Sequence, residues 1–165
     1  MRIVPCVLLF LALLLQSCSW TVPFFIINNT TRPVRVEVSL MDLSKGIPIF
    51  FTASSPVSAY HIDKNSTIDY NKPVTLAKKK GTDEFHYTVE LPAYSAISLG
   101  QLENDRYSAH DQHFINDRVF NLRRIIITED VKKTEITNIN FDAYFYESQN
   151  SVIYPVRSVA NSYRE

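Results

Sequence analysis

The chain has 165 residues, with 17 Lys and Arg against 17 Asp and Glu, four His, two Cys, 45% hydrophobic residues and 12% aromatic residues. That length fits one ordinary globular domain, and the composition is too apolar and too weakly charged for a disordered chain. A formal charge of zero supplies no basic surface for the phosphates of a nucleic acid, and two cysteines are too few for a disulfide scaffold.

The first element is a leader. Residues 1–17 hold a single charged side chain, Arg2, followed by 13 uncharged residues at positions 3–15. As a helix, such a run spans about 20 Å, short of the roughly 30 Å of a bilayer's hydrocarbon core. A charged start, a short apolar centre and small residues at the end describe a secretory signal peptide. It ends in Leu15-Gln16-Ser17-Cys18.

This tetrapeptide resembles the lipobox of bacterial lipoproteins, with leucine three residues before the cysteine and a small residue just before it. Gln16 departs from the small or β-branched residue that is commonest at its position. The resemblance implies cleavage after Ser17, a diacylglyceryl thioether on Cys18 and a further acyl chain on its nitrogen. Two or more chains, at about 0.8 kcal/mol per buried CH₂, hold a protein stably on a bilayer. The mature chain then has no free thiol, because Cys6 leaves with the signal. Ser19 after the cysteine resembles lipoproteins delivered to the outer membrane, and the absence of an acidic tag favours the periplasmic side. The alternative is an ordinary signal peptide cut near Ser17 or Ser19, which yields a secreted protein with an incidental Cys18.

Residues 18–23 are expected to be the lipidated cysteine and a short tether, and residues 24–165 one domain. Residues 24–28 form a compact apolar run, closed by the turn formers Asn28-Asn29-Thr30-Thr31-Arg32-Pro33. Val34, Val36, Val38 and Leu40 then alternate with Arg35, Glu37 and Ser39, the pattern of a half-buried antiparallel strand. Residues 85–91 repeat the alternation and stop at Pro92. Weaker strand candidates are residues 47–53, 74–78, 93–99, 119–128 and 152–156. The loops 79–83 and 148–150 read as hairpin turns. Residues 103–114 hold the best chance of a turn or two of helix. A last alternation places Thr137, Ile139, Phe141, Ala143 and Phe145 on one face, with Asp142, Tyr144 and Tyr146 outward.

Eight or so short strands without βαβ alternation predict an all-β fold, an antiparallel two-sheet sandwich of immunoglobulin-like or Greek-key type, with a small β-barrel as the alternative. No cysteine staple is present, so stability must come from apolar burial.

Chemistry is sparsely signalled. His110-Asp111-Gln112-His113, with Asp105 and Asp117 near, is the weak metal candidate, but its spacing is nonspecific and its surroundings are those of a polar loop. There is no Gly-x-Ser-x-Gly elbow, no His-Glu-x-x-His and no phosphate-cradling glycine loop. No catalytic residue, metal or cofactor is expected. Lys78-Lys79-Lys80 reads as a solvated hairpin tip. Tyr144, Tyr146 and Tyr154 are the candidate binding residues, as an outward patch suited to a sugar ring or a protein. The chain thus reads as a noncatalytic, lipid-anchored structural or assembly component of a bacterial envelope, with a glycan- or ligand-binding module as the alternative and a hydrolase less favoured.

Overall fold

The computed structural model describes residues 19–43, 46–53, 56–63, 65, 67–81, 83, 85–107, 112 and 118–157. Cys18, His110, His113, Asp111 and Asp117 lie outside the described residues, as does half of the 103–114 segment.

The described residues form eleven strands: β1 (Thr21–Asn28), β2 (Val34–Leu40), β3 (Val57–Ile62), β4 (Ile68–Leu76), β5 (Lys79–Lys80), β6 (His86–Leu91), β7 (Ser95–Glu103), β8 (Leu122–Glu129), β9 (Lys132–Thr137), β10 (Tyr146–Ser148) and β11 (Ser151–Val156). They build a six-stranded sheet ordered β10-β11-β1-β7-β3-β4 and a five-stranded sheet ordered β5-β6-β2-β8-β9. The fold is a β-sandwich, and the described strands do not close into a barrel. All pairings are antiparallel except β1 with β11, which runs parallel from Phe24↔Val152 to Asn28↔Val156.

The alternation in β2 and β6 does what period-2 patterning requires. Val34, Val36, Val38 and Leu40 face inward together with Tyr87, Val89 and Leu91, and Val36 lies directly opposite Val89. From the other sheet come Phe24, Ile26, Ile97 and Val152, which share this core. An aromatic knot fills one end. Phe24 packs on Phe50 at 4.8 Å and on Tyr107 at 5.2 Å, both edge-on, and Phe120 meets Phe141 at 4.9 Å.

Two asparagines fasten segments that are not strands. Asn28 is fully buried, its Nδ2 donating to the carbonyls of Arg32, Leu91 and Pro92 and its Oδ1 accepting from Thr30. It thereby ties the β1–β2 turn to the β6–β7 turn. Asn121 pairs its side-chain amide with the backbone of Phe51, accepting at 2.8 Å and donating at 2.9 Å. That imitates a strand ladder. It explains why residues 47–53, expected as a strand, hold their place with only the Ile49↔Val119 bridge.

The 148–150 turn is as expected: Gln149 and Asn150 both have positive φ, 46° and 63°, and close the β10–β11 hairpin with the two-residue, twist-matched geometry that such values support. Three expectations need correction. First, β1 begins at Thr21, paired with Glu103, so residues 21–23 are sheet and not tether. Second, residues 136–147 are not one strand. β9 ends at Thr137, where Asn140 Oδ1 accepts from the Thr137 N–H at 2.6 Å, and a single helical turn, Phe141–Tyr144, follows. Ile136 faces the core in place of Thr137, while Ile139 is 92% exposed. Phe141 and Phe145 are both buried and stack at 4.0 Å; their four-residue spacing fits a helical face as well as an alternating strand. Third, no helix lies in residues 103–107, where β7 runs to Glu103. Among the described residues no helix is long and apolar enough to cross a membrane.

Candidate functional site

The end of the sandwich where β1 begins is fastened from several sides. Trp20 donates its backbone N–H to Asn104 Oδ1 at 3.1 Å and its indole Nε1 to the Asp105 carbonyl at 3.3 Å, and its own carbonyl accepts from Asn104. Asp105 is wholly buried. Its Oδ1 accepts from the Arg106 N–H at 2.8 Å and its Oδ2 lies 3.5 Å from Arg118 Nη2. This carboxylate, near the histidine motif in sequence, thus serves an internal ion pair. Beside it the Tyr107 hydroxyl donates to Asp142, and burial, followed by that carboxylate, pushes the phenol far above its ordinary range. Trp20, Arg106, Tyr107 and Glu147 border an open cleft of about 800 Å³.

The three candidate tyrosines do not form one patch. Because the two-residue turn sets Ser148 opposite Ser151, Tyr146 falls opposite Ile153, on the outer face of the six-stranded sheet. Tyr154 points the other way, as period 2 demands. It packs against Phe145 at 5.7 Å and Tyr144 at 6.0 Å, and burial raises its hydroxyl pKa. Tyr144 leaves from the helical turn and is 37% exposed, and Tyr146 is 47% exposed. Sequence spacing placed Tyr144 and Tyr146 on one side because it treated the segment as a continuous strand.

No protein-family model, no curated protein and no solved structure matches this chain. What its side chains can do is therefore argued from their geometry. Among the described residues no group of three or more His, Cys, Asp or Glu could hold a metal ion. One serine, histidine and aspartate do gather on the outer face of the five-stranded sheet: Ser39 lies opposite His86, whose Nδ1 is 2.5 Å from Asp83 Oδ1. No hydrogen bond links Ser39 to His86 among the described contacts. Asp83 Oδ1 also accepts the Phe85 N–H at 2.8 Å, which makes the Asp83–His86 contact a clamp on the loop before β6.

A second aromatic group was missed by sequence reasoning. Phe25, Tyr60 and Tyr70 meet on the outer face of the six-stranded sheet, with ring centroids 5.6 to 6.0 Å apart. Tyr60 belongs to β3, which no alternation marked. Tyr70 is carried by an irregularity in β4, where residues 70–73 lie opposite the single residue Tyr60. The available signal was the unbroken run Phe24-Phe25-Ile26-Ile27, because a strand apolar at consecutive positions buries both faces.

Proposed function

We propose that this chain is a noncatalytic, lipid-anchored component of a bacterial cell envelope, held on the outer membrane through acylated Cys18 and facing the periplasm. The observation that carries the reading is the tetrapeptide Leu15-Gln16-Ser17-Cys18 at the end of a 13-residue apolar run. The fold is compatible with an anchor at that point. From Cys18 to the first paired residue, Thr21, the chain spans at most about 11 Å. A domain attached so closely lies against the headgroups, and the half-exposed Trp20 has the amphipathic ring suited to that interface.

The test is labelling of cells with a palmitate analogue, followed by membrane fractionation. The reading expects label on the wild-type protein, loss of label in Cys18→Ala, and release of that variant from the membrane fraction. An unlabelled, soluble mature protein overturns the anchor and leaves the secreted alternative. A structural or assembly role expects crosslinking to one envelope partner in intact cells. The alternative, glycan or ligand recognition by Tyr144, Tyr146 and Tyr154 together, is disfavoured because Tyr146 and Tyr154 face opposite sides of the sheet.

A further inference from the structure

The outer face of the six-stranded sheet carries a cleft lined by aromatic rings and uncharged polar side chains. It has a volume of about 290 Å³, close to the lower end of the roughly 300–1,000 Å³ range of small-ligand pockets. Phe25, only 1% exposed, lies beneath, and Tyr60 and Tyr70 rise from it. Gln101 and Ser98 enter from β7, and Gln149 and Asn150 from the β10–β11 turn. None of the described residues lining this cleft is charged.

We propose that this cleft binds a neutral oligosaccharide, one or two sugar rings at a time. A pyranose has an apolar C–H face and a rim of hydroxyls that both donate and accept hydrogen bonds. Tyrosine rings match the face, and carboxamides, each with two donors and an acceptor, match the rim. An anionic ligand would lose hydration here without meeting an opposite charge among the described lining residues. The site is also preorganised. Buried Phe25 braces both tyrosines edge-on or tilted, at 5.9 and 6.0 Å. Positive φ at Gln149 and Asn150 fixes the turn that presents their amides, and Gln101 Nε2 is oriented by Glu103 Oε1 at 3.0 Å. Ordering lost on binding is therefore small. The proposal does not depend on acylation of Cys18.

The experiment is calorimetric titration of the full chain, purified in a detergent without a sugar headgroup, with fully N-acetylated chitotetraose, cellotetraose and maltotetraose. Saturable binding of at least one of these is expected, weakened about tenfold or more in Tyr70→Ala and unchanged in Tyr144→Ala. Tyr70 is 54% exposed, so its loss should leave the melting curve intact. If Tyr70→Ala loses its cooperative melt, the exposed Gln101→Ala repeats the test. Failure of all three sugars to bind, wild-type affinity in Tyr70→Ala, or stronger binding of the anionic tetragalacturonate each overturns the proposal. So does loss of a protein crosslink in Tyr70→Ala cells without any sugar binding, which would assign the cleft to a protein.

Discussion

The two outer faces of the sandwich obey different rules. On the five-stranded sheet the outward positions include Arg35, Glu37, Thr88, Glu90 and Arg124 beside the half-buried Ile126 and the buried Ser39, with Arg35 directly opposite Glu90 and its Nε 3.1 Å from Glu37 Oε1. On the six-stranded sheet the outward positions include Phe25, Ile27, Ile62 and Ala96, all buried, with Tyr60, Ile68 and Ile153 packed around them. The first is a solvated face carrying opposite-charge cross-strand neighbours. The second is a small core over which no further sheet lies among the described residues. A large apolar side chain that points away from the main core is therefore exceptional in one sheet and structural in the other.

Truncation at matched outward positions is the strongest way to break this contrast. Phe25→Ala should cost about 3–5 kcal/mol, like a core aromatic, whereas Glu37→Ala should stay within about 0.5 kcal/mol. Urea denaturation measures both, and equal small losses would mean that the outer cluster contributes little.

The next effect sharpens the contrast between the inner and outer sides of β6. Tyr87 is buried on the inner side with Lys78 Nζ 4.4 Å from its ring centroid, and burial pushes its hydroxyl pKa up to about 12. Because the folded value exceeds the ordinary 10, its contribution is intact below pH 10 and is lost as pH rises towards 12, by about 2–3 kcal/mol. Denaturation midpoints across that window, compared with Tyr87→Phe, test this.

Surface ion pairs should matter less. Arg32 Nη1 sits 2.8 Å from Asp130 Oδ2, but both side chains are well over half exposed. Arg32→Ala should lower stability by less than about 1 kcal/mol, and molar salt should erase the difference. The smallest effect belongs to Asp83, where the hydrogen bond from His86 holds the carboxyl below its ordinary value. Its stabilisation is present above the unfolded pKa and fades as pH falls through the lower folded one. Amide shifts of Phe85 and His86 in an NMR titration should report a local opening before the sheets melt.

The same contrast explains what the residues disclosed before their structure was known. β2 and β6 were legible because one side is wet and the other dry, so each position is labelled by polarity. The sandwich follows from such strands. β3 and β4 were obscured: Val57–Ile62 mixes Ser58 and His61 with Val57, Ala59, Tyr60 and Ile62 without a clean alternation, and β4 is an exposed edge strand interrupted by Pro73 and four residues opposite one. The segment around Phe141 was misread because apolar residues spaced by four satisfy both an alternating strand and one turn of helix. Of the three candidate tyrosines, Tyr144 and Tyr154 do meet, and Tyr146 was displaced by the register of a turn that itself was anticipated. Residues Tyr60 and Tyr70, separated by ten positions, come together through the irregular pairing of the consecutive strands β3 and β4, which no alternation marks.

The parallel pairing of β1 with β11 has a mechanical consequence. Tension applied at Thr21 and at Val156 acts on adjacent strands at their opposite ends, so the two are drawn past each other along their length. The five register pairs from Phe24↔Val152 to Asn28↔Val156 then share the load at once and do not open one by one like a zip. Resistance to such a pull is set by the unfolding rate and not by equilibrium stability. The sandwich should therefore withstand traction between its first and last strands far better than traction that peels β10 from β11.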